Sequence, residues 1–302
     1  GFEGNGQTLR ILSKLEIFSD GFGSNLTRRT LLGTLKYPVP YSARAPKTPA
    51  PGKISPINGQ MMLDRYLHKP PKCYMDTEQD VVDWIYEPLS ARDREFVYAH
   101  SAKSLDCTIM DLADDIAYGV HDLEDAISLG LVSDEQMTQD IDPLLWDEFL
   151  ERLNDRYPAE FAESLGTPYE TFCKNLFSGD PASTKRQIGR LVGYMIANTR
   201  ILERDFKSPL FRYEAAMRPA ALMLLTKLKS FIHRRVIHSP QLQQCRFKGQ
   251  QMIVQLFAYY NHDPKFLLPA HVGHQFQEAE GDDSAQQRVI CDYIASLTDD
   301  SL

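Results

Sequence analysis

The chain has 302 residues, 43% of them apolar and 25% charged, with a formal net charge of −8. That composition belongs to an ordinary globular protein able to bury a substantial core. No apolar run approaches the ~18 residues that a membrane-spanning helix needs, and nothing has the form of a signal peptide, so no membrane partner and a cytoplasmic location are expected.

The five cysteines (Cys73, Cys107, Cys173, Cys245 and Cys291) are odd in number and lack paired ligand spacing, so they read as reduced cytosolic thiols, mostly packed as small apolar groups. The charge is unevenly spread. Residues 1–75 carry eleven Lys/Arg against four acids, a net of +7, which leaves −15 for the rest. A basic segment beside an acidic one suits a polyanion held near a metal, and it equally suits two solvated faces.

In chain order, residues 7–18 carry helical periodicity, ended by the Ser19–Ser24 turn. Asn25 offers a cap for a second helix over Thr27–Leu35, which Pro38 stops. Residues 38–60 hold six prolines and no sustained period, which predicts an extended loop. Asp76-Thr77-Glu78-Gln79 has the form of a capping signal and predicts a helix over about 79–87. Amphipathic segments then cover 134–155, 159–176, 184–206, 213–238 and 240–260, with Pro- and Gly-rich breaks at 177–182 and 263–273. Gln250–Ala258 fits helix or strand. Trp84 and Trp146 are assigned to the core. The reading is all-α, one helical domain over residues 1–302, and its uncapped ends mark it as part of a longer protein.

The helix from Asp111 to Ile127, with Gly130 as its stop, has two incompatible faces. With Asp114 at zero, Tyr118 and Asp122 fall at about 40° and 80°, and His121 and Asp125 at about −20° and 20°. Opposite them run Ile109, Leu112, Ile116, Val120, Leu123 and Ile127. The acidic face is either solvated or a metal and phosphate site in which carboxylates bind a divalent cation. Two His-Asp dipeptides, His121-Asp122 and His262-Asp263, are weak signals alone, and His271/His274 reads as surface histidine. Lys227, Lys229, His233, Arg234 and Arg235 form a basic stripe near Phe231, either a solvated face or a contact for single-stranded nucleic acid. No phosphate-binding glycine loop, C-x-x-C or G-x-S-x-G occurs.

Four segments resemble, in family order, the bacterial dGTP triphosphohydrolases and their dNTPase-like relatives in the HD superfamily. They are Phe2-Glu-Gly-Asn-Gly-Gln-Thr-Leu-Arg-Ile-Leu, Asn25-Leu-Thr-Arg-Arg-Thr-Leu-Leu-Gly-Thr-Leu-Lys-Tyr-Pro, Ala113-Asp-Asp-Ile-Ala-Tyr-Gly-Val-His-Asp-Leu-Glu-Asp-Ala and Cys291-Asp-Tyr-Ile-Ala-Ser-Leu-Thr-Asp. The resemblance implies an HD-domain-like helical bundle (1–132 its core portion) with a C-terminal helical extension over 133–302. It implies hydrolysis of a deoxynucleoside triphosphate to deoxynucleoside and inorganic triphosphate. A divalent metal is implied, Mg²⁺ or Mn²⁺ first, with Fe, Ni, Co or Zn as alternatives, along with a homo-oligomer and effector nucleotides.

By the same resemblance Asp114 is the metal ligand from the later helix, while Tyr118 and Asp122 contact the sugar. Lys36 and Tyr37 match the segment that approaches the triphosphate. Lys72 resembles its second phosphate-reaching lysine, although Lys-Pro-Pro-Lys-Cys-Tyr replaces the usual K-x-G-F-F. Asn5 and Gln7 line the site or cap a helix. Ser296-Leu-Thr-Asp299 replaces the commoner G-M-T-D. The family's metal-binding HD pair and catalytic His and Glu are expected upstream of Gly1, so His121-Asp122 is not that pair. Two readings stand beside this one: a helical nucleic-acid-binding or regulatory module without catalysis, and another HD-type phosphohydrolase.

Overall fold

In the computed structural model, residues 3–16, 18, 21–45, 55–57, 60–62, 70–159, 166–206 and 208–298 are described. Caps and prolines set most of their element boundaries. Helix α1 (Gly4–Arg10) starts at Glu3, whose carboxylate accepts the Gly6 N–H, and continues into a π-turn at Ile11–Leu15. α2 (Arg28–Thr34) is capped by the Thr27 hydroxyl, not by Asn25, which sits at φ 51°. Asn tolerates that left-handed conformation better than most residues, so Asn25 serves the turn before the helix. Within the stretch expected to be loop lie a short α3 (Tyr41–Arg44) and an antiparallel ribbon of β1 (Ser55–Ile57) and β2 (Gln60–Met62). The remainder of that expectation, 46–54 and 58–59, lies outside the described residues, as do Phe2 and Asp299.

A 3₁₀ turn at Asp76–Glu78 leads into α4 (Gln79–Tyr86), followed by α5 (Ala91–His100). The long acidic helix comes in three pieces: α6 (Leu105–Ile116), a π-turn at Ala117–His121, and α7 (Asp122–Ser128). Gly130, at φ 65°, ends it, with its N–H on the Ile127 carbonyl and the Leu131 N–H on that of Ala126. Then follow α8 (Asp134–Asp140), α9 (Asp147–Arg156), α10 (Pro168–Leu176) and α11 (Pro181–Ala197).

The helices expected over 184–206 and 213–238 are both cut short. β3 (Thr199–Glu203) and β4 (Tyr213–Met217) pair antiparallel, with α12 (Pro209–Arg212) between them, before α13 (Pro219–Ile232) begins. The causes are local. The Asn198 side chain bonds the Tyr194 carbonyl at the end of α11, β-branched Thr199 and Ile201 favour strand, and Pro209 and Pro219 fit the first turn of a new helix. α13 runs on into a π-turn at His233–Ile237. α14 (Pro240–His262) makes Gln250–Ala258 helical, and α15 (Pro264–Leu267), α16 (Ala270–Glu278) and α17 (Asp283–Ser296) complete the all-α fold.

These elements form two compact units. One comprises Phe2–Ala45 with Pro71–Ser239; the other comprises Gly1, Pro46–Pro70 and Pro240–Leu302. The first unit buries Leu9, Leu31, Leu32, Val82, Val97 and Phe211 in one cluster. Elsewhere in it, fully buried Trp146 packs against Phe172 with ring centroids 5.3 Å apart. Trp84 departs from the core expectation. It is 43% exposed, with the Arg28 guanidinium 4.6 Å from its ring centre, an amphipathic surface contact. The second unit has its own small core of Leu268, Val272 and Ile290. Cys73, Cys107 and Cys173 are buried as expected, whereas Cys245 and Cys291 are exposed. No described helix is long and apolar enough to cross a membrane.

Candidate functional site

The site lies in the first unit, and it is built by pinning two lysine-bearing segments to the acidic helix. Buried Leu31, Leu32 and Leu35 anchor α2 in the core, so Lys36 and Tyr37 leave its end at a fixed place. Two backbone bonds, Tyr74 N–H to Val39 O (3.0 Å) and Tyr41 N–H to Tyr74 O (2.9 Å), fasten the segment after Tyr37 to the one carrying Lys72. α1 closes the third side. A β-carbon on Gly6 would stand 3.1 Å from the Cys73 carbonyl, so only glycine allows this approach without displacement.

Lys36 points its ammonium at the acidic helix, paired with Asp111 and, at 3.2 Å, with Asp114. Burial pulls the Lys36 pKa down, but the hydrogen bonds and charges of Asp111 and then Asp114 reverse this and hold it well above the ordinary lysine range. Asp111 accepts Lys36 on one carboxylate oxygen and Lys103 on the other. Burial raises its pKa, yet the two lysines outweigh that and leave it below the usual carboxylate range. Tyr37, half-buried, has the Lys72 ammonium 5.5 Å and the Lys103 ammonium 5.8 Å from its ring centre.

Along the helix the π-turn changes the geometry that periodicity gives. Its Asp122 N–H bonds the Ala117 carbonyl, five residues back. Such a turn inserts about one extra residue and takes back roughly 100° of rotation. Asp122, which a straight helix carries to about 80°, therefore returns close to the line of Asp114 and Tyr118. His121 is turned aside, 57% exposed, with Nδ1 3.2 Å from Glu124. Asp122 has its pKa raised by burial and then by the charges of Asp125 and Asp114; Tyr118 is raised by burial and then by Asp122. Behind the π-turn, Lys229 of α13 pairs with Asp115 and lies 5.8 Å from the Tyr118 ring centre. The apolar stripe is buried at Ile116, Val120 and Leu123, while Ile109 at its start is 48% exposed.

Asn5 and Gln7 are engaged differently from the lysines. Asn5 donates to Glu3 at 2.9 Å, and Lys72 reaches the same Glu3 oxygen at 3.0 Å. Glu3, 3% exposed, is thus the helix cap and the anchor for both; burial raises its pKa, and the bonds from Asn5, Gly6 and Lys72 bring it below the ordinary value. Gln7 is buried beside them, and its Nε2 has no hydrogen-bond partner among the described residues. Lys229 enters the sequence reading only as part of the basic stripe; Glu3, Lys103 and Asp111 are not singled out there as site residues. Nothing in their linear spacing marks them, since each enters through a partner distant in the chain.

Asp114 is exposed enough to serve as one metal ligand, with 68% of its side chain accessible. Among the described residues, however, no group of three or more His, Cys, Asp or Glu is arranged to hold a metal ion. Of the basic stripe, Lys229 is paired with Asp115, and Arg234 and Arg235 share Asp140. A cleft of about 770 Å³ borders the same helix on its Thr108, Asp111 and Asp115 side, with Lys103 and Arg204 in its wall.

The chain has close relatives. It is 40% identical to the deoxyguanosinetriphosphate triphosphohydrolase-like protein of Shewanella pealeana, over 99% of this chain and 66% of that protein. It is 39% identical to the proteins of the same name from Shewanella sediminis and Aliivibrio fischeri, over 99% of this chain and 67% of each. The chain belongs to the deoxyguanosinetriphosphate triphosphohydrolase-like family. It spans about two thirds of the length of these triphosphohydrolase-like relatives. The phosphohydrolase-associated domain family also matches residues 215–302.

Proposed function

We propose that this chain supplies the substrate-facing part of a deoxynucleoside triphosphate triphosphohydrolase, with dGTP the first substrate to test. The observation that carries the reading is the Lys36 ammonium. It spans Asp111 and Asp114 at one end of the Asp114–Tyr118–Asp122 line, beside Tyr37 with its flanking Lys72. A cation cluster adjoining an acid–tyrosine–acid line suits a ligand that is polyanionic at one end and hydroxylated at the other.

In this reading Lys36 and Lys72 neutralise the triphosphate. Tyr118 lies under the deoxyribose and leaves no room for a 2′-hydroxyl, and Asp122 accepts a hydrogen bond from the 3′-hydroxyl. A pocket with neither space nor partner for an added hydroxyl discriminates against ribonucleotides. The reaction is hydrolysis: a water oxygen bonds to the α-phosphorus, the bond from that phosphorus to the 5′-oxygen breaks, and the 5′-oxygen takes up a proton. The products are deoxynucleoside and inorganic triphosphate. Asp114 is the proposed ligand of a divalent cation, Mg²⁺ or Mn²⁺ before Fe, Ni, Co or Zn given an oxygen donor. That cation would supply charge stabilisation at the phosphoryl oxygens. One carboxylate is not a complete site, so the remaining ligands are assigned outside the described residues.

The test is Asp114→Ala in the natural polypeptide that carries this chain. The variant is expected to keep its helical circular dichroism, lose stoichiometric Mn²⁺ binding and lose triphosphate release from dGTP. Normal metal binding or normal turnover would remove Asp114 from the metal site.

A further inference from the structure

We infer that Lys103 is a third cation for the triphosphate, held in reserve on Asp111. The inference rests on the proposed lie of the triphosphate along Lys36 and Lys72, and extends it to a residue that no sequence motif marks.

Three lysines from three separate segments converge here. Lys36 and Lys103 occupy the two oxygens of the single Asp111 carboxylate. Lys72 and Lys103 both stand against the Tyr37 ring, 5.5 and 5.8 Å from its centre. Lys103 is therefore the link between the other two. Lys36 divides its ammonium between Asp111 and Asp114, so two lysines face two carboxylates here. Each ammonium also carries three N–H donors, so the contact with Asp111 leaves donors free for an anion. A quarter of the Lys103 side chain is accessible (26%), which keeps the ammonium within reach of a ligand.

The backbone at Lys103 is fixed in advance. Arg204 donates to the Lys103 carbonyl at 2.7 Å, across 101 residues of sequence, and is itself held by the Phe211 carbonyl at 3.1 Å and by Glu214 at 3.3 Å. The next residue, Ser104, is buried and caps α6 through the Cys107 N–H. A cation on so rigid a base loses little freedom when it meets a phosphate oxygen, which is what charge stabilisation at a binding site requires. An incoming polyphosphate would then draw Lys103 and Lys36 from Asp111, exchanging one carboxylate for several phosphoryl oxygens.

The test is titration calorimetry with inorganic tripolyphosphate, without metal, on the natural polypeptide and four variants whose fold is checked by circular dichroism. Lys103→Met is expected to weaken binding by about tenfold, the size of one charge-assisted hydrogen bond, and Lys103→Arg to restore most of it. Asp111→Asn is expected to act in the opposite direction and tighten binding, because it releases Lys103 and leaves Lys36 only Asp114. Should Lys103→Met fail to fold, the sign of the Asp111→Asn effect decides: tightening supports the inference, while unchanged or weaker binding overturns it. Unchanged affinity in folded Lys103→Met also overturns it. Lys36→Met separates the two proposals. If it weakens binding while Lys103→Met does not, Lys103 is not a ligand and the proposed function stands. If neither matters, the phosphate end of the proposed function falls as well.

Discussion

Gly119 sits inside the π-turn that carries Tyr118, and a β-carbon there would stand 2.7 Å from Leu225 Cδ1 and 3.3 Å from Lys229 Cγ. Leu225 is buried, 1% exposed, and the Lys229 stem is tethered by its pair with Asp115. Forcing one methyl into a filled core costs about 1–3 kcal/mol, while Gly→Ala returns up to ~1 kcal/mol of helix propensity. With the full propensity gain subtracted, Gly119→Ala should lose up to about 2 kcal/mol. The control is Gly189→Ala on α11, where a β-carbon meets nothing within 4 Å, so the propensity gain stands alone. Urea unfolding followed by circular dichroism reads both. The midpoint should fall for Gly119→Ala with the slope unchanged, and rise slightly for Gly189→Ala. A midpoint for Gly119→Ala that rises as it does for Gly189→Ala would refute the close approach of α13 to the π-turn.

Other outcomes follow from single contacts. Thr27→Ala removes the hydroxyl that accepts the Thr30 N–H and should lower stability by about 1 kcal/mol, whereas Asn25→Gly, which suits the left-handed backbone, should not. Asp140 is held below the ordinary carboxylate range chiefly by its bond to Arg235, with Arg234 adding its charge. A lowered folded pKa adds stability above the unfolded value of about 3.9 and loses it as pH falls through the folded value. Asp140→Asn should therefore destabilise at pH 7 and match the native protein in strong acid; a pH-independent difference would contradict the ion pair. Tyr118→Ala should let GTP compete with dGTP in turnover, and unchanged dGTP/GTP selectivity would count against its sugar role.

The helical face that points to the site was legible from periodicity, because Ile116, Val120 and Leu123 recur on one side and are buried. Its true azimuths were not, since a π-turn leaves no mark in the spacing of apolar residues; here it lies where α13 packs against Gly119. The strands β3 and β4 were hidden inside a helical period because Thr199 and Ile201 alternate over too few residues to outweigh it. Trp84 was assigned inward on its apolar bulk, yet Arg28 gives it a partner at the surface. Lys103 could not be found from sequence at all, because Arg204 and Asp111, which place it, do so through the fold.

The most direct measurement is product analysis with the natural polypeptide, dGTP and Mn²⁺. Inorganic triphosphate and deoxyguanosine should appear in equal amounts, with the tripolyphosphate chain intact. Release of orthophosphate or pyrophosphate instead, or no turnover of any deoxynucleoside triphosphate, would contradict the account.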